Sequence, residues 1–102
     1  MLNYTIENKD NELKLSIKGR VDSEGVADFQ EAFDKILGMP EEKAFLDFSE
    51  LQFINSSGIG KLLIFYKKYK NSGREVIIDG INEDIFTLFK AIRLDKLIEI
   101  KR

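Results

Sequence analysis

The chain has no cysteine and no histidine. The first absence removes disulfides, thiolate metal sites and thiol nucleophiles together. The second removes imidazole triads, histidine metal clusters and a histidine pH switch. Charge of neither sign dominates: 16 Lys and Arg stand against 18 Asp and Glu, a formal net charge of −2. A nucleic-acid footprint normally needs a clustered basic face, so nucleic acid is not an expected partner. No apolar run approaches the ~20 residues that span a bilayer, so no membrane partner is expected either. The start, Met1-Leu2-Asn3-Tyr4-Thr5-Ile6-Glu7, lacks the basic and apolar regions of a signal peptide. The expected location is the cytoplasm, where the Asn-x-Ser/Thr triplets at Asn3 and Asn55 carry no glycan.

What is present suits one small folded domain. The chain has 102 residues, 43% hydrophobic and 33% charged, enough for a modest core and too apolar for disorder. Tyr4 and Ile6 alternate with polar neighbours, Asn8-Lys9-Asp10-Asn11 reads as a turn, and Leu13, Leu15 and Ile17 alternate again up to Gly19. That pattern predicts a hairpin. Val26, Phe29, Phe33, Ile36 and Leu37 recur at helical spacing, with Asp22 or Ser23 as N-cap and Gly38 and Pro40 closing the helix. Ala44-Phe45-Leu46-Asp47-Phe48 predicts a buried central strand. Ile59, Leu62, Leu63, Tyr66 and Tyr69 mark a second helix that ends near Asn71-Ser72-Gly73. A strand over Glu75–Asp79 closes at Gly80. A third helical stripe follows at Ile85, Leu88, Phe89 and Ile92, then a last short strand around Leu97, Ile98 and Ile100. The order β-β-α-β-α-β-α-β implies an α/β fold: a mixed or parallel sheet with three main helices packed on it, in a single domain over residues 1–102.

The segment Phe48–Gly60 concentrates the unusual chemistry. It runs from a strand's carboxyl end into a helix N-terminus and carries consecutive hydroxyls, Ser56 and Ser57, followed by Gly58 and Gly60. Unpaired N–H groups and the positive end of the helix dipole favour an anion there. Glycines also let another protein's backbone approach closely. The structural alternative is that a serine caps the helix and the glycines allow tight helix–strand packing. Nucleotide motifs fail: Asn55 stands where a P-loop needs its first glycine, Leu62 where it needs a hydroxyl, and Leu63 where a dinucleotide fingerprint needs its third glycine. A Ser57–Lys61 dyad is the remaining nucleophilic option. Asp22 and Asp47 are candidates for a spatial pair, or else for ordering a loop and capping a turn. Lys67-Lys68-Tyr69-Lys70 with Arg74 reads as the wet face of the second helix.

The run Asp47-Phe48-Ser49, then Phe53-Ile54-Asn55-Ser56-Ser57-Gly58-Ile59-Gly60, resembles the signature of the STAS domain family, specifically of bacterial anti-sigma factor antagonists. Lys18-Gly19-Arg20-Val21-Asp22 is similar to that family's Gly-x-hydrophobic-Asp turn. The resemblance covers nearly the whole chain. It implies that Ser56 is phosphorylated by a partner of the GHKL ATPase type, both serine kinase and anti-sigma factor. The unphosphorylated antagonist binds that partner and releases a sigma factor, and a PP2C-type phosphatase resets the phosphorylated form. The implied contact surface comprises Asp22, Ser23, Asn55, Ser56, Ser57, Gly58, Ile59 and Gly60. No catalytic residue, metal or cofactor is implied, and a monomer is expected. Asn55 departs from the family's usual aspartate before the phospho-serine. The competing expectations are a STAS module that binds constitutively within a transport or signalling complex, and a small hydrolase using Ser57 and Lys61.

Overall fold

Asp10 and Asn11 both adopt positive φ, 53° and 67°, the backbone that a two-residue hairpin turn demands at its centre. In the computed structural model, which describes residues 2–102, they join β1 (Leu2–Lys9) to β2 (Glu12–Val21), paired antiparallel with Lys9 opposite Glu12. Every later strand is added in parallel: β3 (Lys43–Ile54), β4 (Glu75–Ile81) and β5 (Glu99–Lys101), giving the order β1-β2-β3-β4-β5. Parallel neighbours need crossovers, supplied by α1 (Val26–Leu37), α2 (Ser56–Asn71) and α3 (Glu83–Ala91). Strands laid down in one direction with right-handed crossovers place all the helices on one face. The aromatic packing agrees: the Phe48 ring of β3 meets Phe29 of α1 at 6.3 Å and Phe89 of α3 at 6.1 Å.

The strand residues beneath the helices, among them Leu13, Leu15, Ile17, Leu46, Phe48 and Ile78, are buried. Those that alternate with them, such as Lys14, Ser16, Phe45 and Asp47, are exposed or half-buried on the opposite face. Between the helices Phe33 stacks on Phe65 at 4.4 Å, and Phe65 continues to Tyr69 at 5.2 Å. The element order is the one expected from sequence. No helix among the described residues is long and apolar enough to cross a membrane.

Several local expectations are corrected. The central strand does not stop at Phe48; it runs on to Ile54 through shifts in register against β2 and β4. Asp47 therefore lies within β3, where its Oδ1 accepts hydrogen bonds from the Ser49 N–H (2.9 Å) and hydroxyl (2.6 Å). The N-cap of α1 is Gly25, not Asp22 or Ser23, and it makes no side-chain cap bond. A Cβ at Gly25 would lie 2.2 Å from the Arg20 carbonyl oxygen, so the loop admits only glycine there. Phe65, absent from the expected stripe of α2, is buried, while Ile59, Leu63 and Tyr66 are half-buried. Arg74 is no part of a solvated face. Its guanidinium donates to the Met39 and Leu37 carbonyls (2.8 and 3.1 Å) at and just past the end of α1 and lies 4.0 Å from the Tyr69 ring centroid. Ile92 and Leu97 fall outside α3 and β5, flanking a 3₁₀ turn over Leu94–Lys96.

Candidate functional site

The last residues of β2 and β3 are in register, Val21 beside Ile54. Both strands then leave the sheet, and the Asn55 N–H donates to the Val21 carbonyl at 2.9 Å. The loop holding Asp22 and Ser23 is thereby clipped to the start of α2. Asn55 is extended (φ −89°, ψ 175°) and its Oδ1 accepts from the Gly58 N–H at 2.8 Å. This is an asparagine N-cap. The cap is thus neither serine, and Ser56 and Ser57 become the first two residues of the helix. Both are exposed, and neither hydroxyl has a hydrogen-bond partner among the described residues.

The charge at this helix end is uncompensated. No acidic residue occupies the first turn of α2, and the Ser56 and Ser57 N–H groups precede the first intrahelical bond, Ile59 N–H to the Asn55 carbonyl. An anion placed there meets free donors and the positive end of the dipole.

The two glycines have different roles. A Cβ on Gly58 would lie 2.6 Å from Val21 Cγ1 and 2.8 Å from Ile54 Cγ1. Gly58 is buried and lets α2 seat against the two strand ends, so internal packing accounts for it rather than a partner's approach. At Gly60 a Cβ would meet nothing within 4 Å, so the missing side chain leaves open space. Ile59 is half-buried and, with Ser56 and Leu63, forms one wall of a groove of about 440 Å³. Ile92, Arg93 and Leu97 belong to the other side. Sequence reading missed this groove, because Ile92 and Leu97 look like core residues there.

Asp22 orders the neighbouring loop. Its Oδ1 accepts from the Gly25 and Glu24 N–H groups (2.9 and 3.1 Å). Chiefly the Gly25 N–H, opposed by partial desolvation and aided by Glu24, holds its carboxyl below the ordinary aspartate value. Arg20 approaches Asp22 Oδ2 at 3.7 Å and lies 4.5 Å from the Phe53 ring centroid. Asp47 is not Asp22's partner; it pairs with Lys14 at 3.7 Å. No hydrogen bond joins Ser57 to Lys61 among the described residues, so the dyad is not assembled.

The sequence model of the STAS domain matches residues 3–102. The chain belongs to the STAS domain family. It is similar to the anti-sigma-B factor antagonist of Listeria monocytogenes, 23% identical across 98% of this chain and 90% of that protein. This STAS domain also superposes on an anti-sigma factor antagonist of Mycobacterium paratuberculosis with a TM-score of 0.80 at 21% identity, covering 98% of this chain and 85% of that one. The anti-sigma factor antagonist SpoIIAA in its unphosphorylated form gives 0.74 at 14% identity, over 98% and 88% of the two chains. Phosphorylated SpoIIAA, from Bacillus, gives 0.73 at 15%, over 98% and 92%. At these identities the superpositions establish the fold.

Proposed function

We propose that this STAS domain is an anti-sigma factor antagonist controlled by phosphorylation of Ser56. Unphosphorylated, it binds an anti-sigma factor that is also a serine kinase of the GHKL ATPase type, and a sigma factor is released. The kinase transfers a phosphoryl group to Ser56 Oγ, binding ends, and a PP2C-type phosphatase restores the hydroxyl. The domain is substrate and ligand in this cycle, with no catalytic residue of its own.

The observation that carries this reading is the start of α2: an exposed Ser56 hydroxyl without a partner among the described residues, at a helix end with no acidic residue in its first turn. Phosphorylation adds about −1.5 to −2 charges there. The free donors and dipole let the helix tolerate them, so the fold is kept. An acidic partner surface is repelled, and desolvating the phosphate opposes its contact. The contact surface comprises Ser56, Ser57, Ile59 and Gly60, with Asn55 beneath as cap and Asp22 and Ser23 on the adjoining loop.

Intact-mass analysis of the protein from its native cells, with peptide mapping over Phe53–Lys61, tests the switch. Phosphate on Ser56 is expected. In titration calorimetry against the kinase partner, Ser56→Ala should bind while Ser56→Asp binds much more weakly; equal affinities would count against the switch. One observation favours a second reading, a STAS module that binds constitutively. Asn55 replaces the aspartate that the family resemblance places before the phospho-serine, and Asn55 already serves fully as cap. A protein unmodified under all growth conditions, with Ser56→Thr binding normally, would select that reading.

A further inference from the structure

The groove beside Ser56 has the chemistry of an unfilled docking site. Ile92 and Leu97, each 46% exposed, stand on one side of it, opposite Ile59 and Leu63 of α2. Burial of such side chains is favourable and proportional to the area covered. The other exposed large apolar residues are Phe53 and Ile64; Phe53 already carries the Arg20 guanidinium over its ring, and Ile64 lies away on the side of α2 that faces Gln30 and Phe33 of α1. The uncovered apolar surface is therefore concentrated next to the proposed phosphorylation site.

The charged residue that lines the groove is a cation. Arg93 lines it, and the exposed Lys67 of α2 and Lys96 of the 3₁₀ turn lie on the elements that form its walls, against one acid there, the half-buried Asp95. Lys67 follows Leu63 by one helical turn, on the same side of α2. None of these three cations has an ion-pair partner among the described residues. Arg93 also holds a left-handed backbone, φ 63° and ψ 24°, just past the end of α3, where glycine is the unstrained choice.

We propose that this groove receives an amphipathic, acidic segment of the anti-sigma partner. Its apolar side chains cover Ile59, Leu63, Ile92 and Leu97, and its carboxylates meet Arg93 and the flanking lysines. The inference rests on the antagonist reading and deepens it. Ser56 belongs to the same groove, so its phosphate introduces an anion where the partner's own acidic groups must come. The excess of cations disfavours a second copy as the occupant: a two-fold contact through this patch brings Arg93, Lys67 and Lys96 of one copy toward those of the other.

The test is titration calorimetry against the purified anti-sigma factor kinase that phosphorylates Ser56, using the full chain. Because Ile92, Leu97 and Arg93 are exposed, Ile92→Ser, Leu97→Ser and Arg93→Glu should keep the wild-type circular dichroism and melting temperature. Each should weaken binding about tenfold or more, as expected of central contacts. Ile64→Ser, 52% exposed but outside the groove, should bind as wild type. Arg93→Gln should also flatten the salt dependence of the affinity. If the wild-type chain binds and Ser56→Asp does not, while all three groove variants bind normally, the groove assignment is overturned and the antagonist reading stands. No binding by the wild-type chain overturns both. Self-association of the wild-type chain that Ile92→Ser abolishes would give the groove to a second copy and overturn the proposal.

Discussion

Helices α2 and α3 begin in the same way, each after a strand, with an extended asparagine whose Oδ1 accepts from the N–H three residues on: Asn55 to Gly58 at 2.8 Å, Asn82 to Ile85 at 3.0 Å. Their surroundings differ. Asn82 also donates through Nδ2 to the Leu51 carbonyl at 2.6 Å, with longer contacts to Ser49 and Phe48 at 3.3 and 3.4 Å, and so fastens α3 to the irregular second half of β3. Asn55 Nδ2 has no such partner among the described residues. The first turn of α3 holds Glu83 and Asp84, whereas that of α2 holds no acidic residue. One helix start is closed, its dipole answered by its own carboxylates. The other presents two hydroxyls without a partner among the described residues and an unanswered positive end. A shared cap can thus anchor structure at one junction and leave an open helix end at the next.

Removing each cap should expose the difference. Asn82→Ala removes the cap and leaves β3 carbonyls without a donor, so the loss should be about 2–4 kcal/mol, combining a cap with an unmade bond. Asn55→Ala should cost about 1 kcal/mol, the value of a cap alone. Urea unfolding of both variants checks the ratio; equal losses would mean that the Nδ2 contacts of Asn82 contribute nothing.

The next effect lies within the open junction. Gly58→Ala forces a methyl group against Val21 and Ile54 and should destabilise by about 1–3 kcal/mol, the cost of overpacking. Gly60→Ala, two residues on in open space, should stabilise by about 0.5–1 kcal/mol, because alanine is the better helix former. The same urea series measures both. A similar loss in the two variants would contradict the division of roles between these glycines.

The sequence carried the architecture because local signals were consistent across the chain: alternation in β2, helical stripes in α1 and α3, turn residues at Asp10 and Asn11. It carried the position of Ser56 through the motif around it. What it did not carry depended on contacts distant in the chain. Arg74 looked like one more surface cation, yet its partners are carbonyls 35 and 37 residues earlier. Asn82 gave no signal, since its donors reach carbonyls more than 30 residues away. β3 looked shorter than it is because polar Ser49 and Glu50 interrupt its apolar run, and pairing across shifts in register sustains it. Leu97 and Ile92 have the residue type and spacing of core, and only the packed chain shows them uncovered.

A smaller effect comes from the loop beside Ser56. The folded Asp22 carboxyl is held below its ordinary value, first by the Gly25 N–H. A group with a lowered folded pKa stabilises the fold above its unfolded value and loses that contribution as pH falls through the folded value. The stability advantage of the wild type over Asp22→Asn should therefore be present at pH 6–7 and shrink progressively below about pH 4. Urea midpoints of both proteins across that range measure it, and a difference that grows on acidification would contradict the assignment.

The finest test converts one junction toward the other. Asn55→Asp keeps the cap acceptor and adds the charge that α2 lacks. It should stabilise the unphosphorylated domain by about 0.3–1 kcal/mol at neutral pH, an effect that salt reduces and that disappears below about pH 4 as the carboxylate protonates. Asn82→Asp should not gain in the same way, because Glu83 and Asp84 already answer that dipole and the Nδ2 donors would be lost. With phosphate installed on Ser56 the gain should be lost: the new carboxylate then lies beside a dianion, and repulsion should cancel or reverse it. Paired thermal melts of Asn55→Asp and wild type, each with Ser56 free and phosphorylated, read this directly. The same small gain in both states would mean that the phosphate sits away from the end of α2, and would remove the reason for regarding that end as the site's anion cradle.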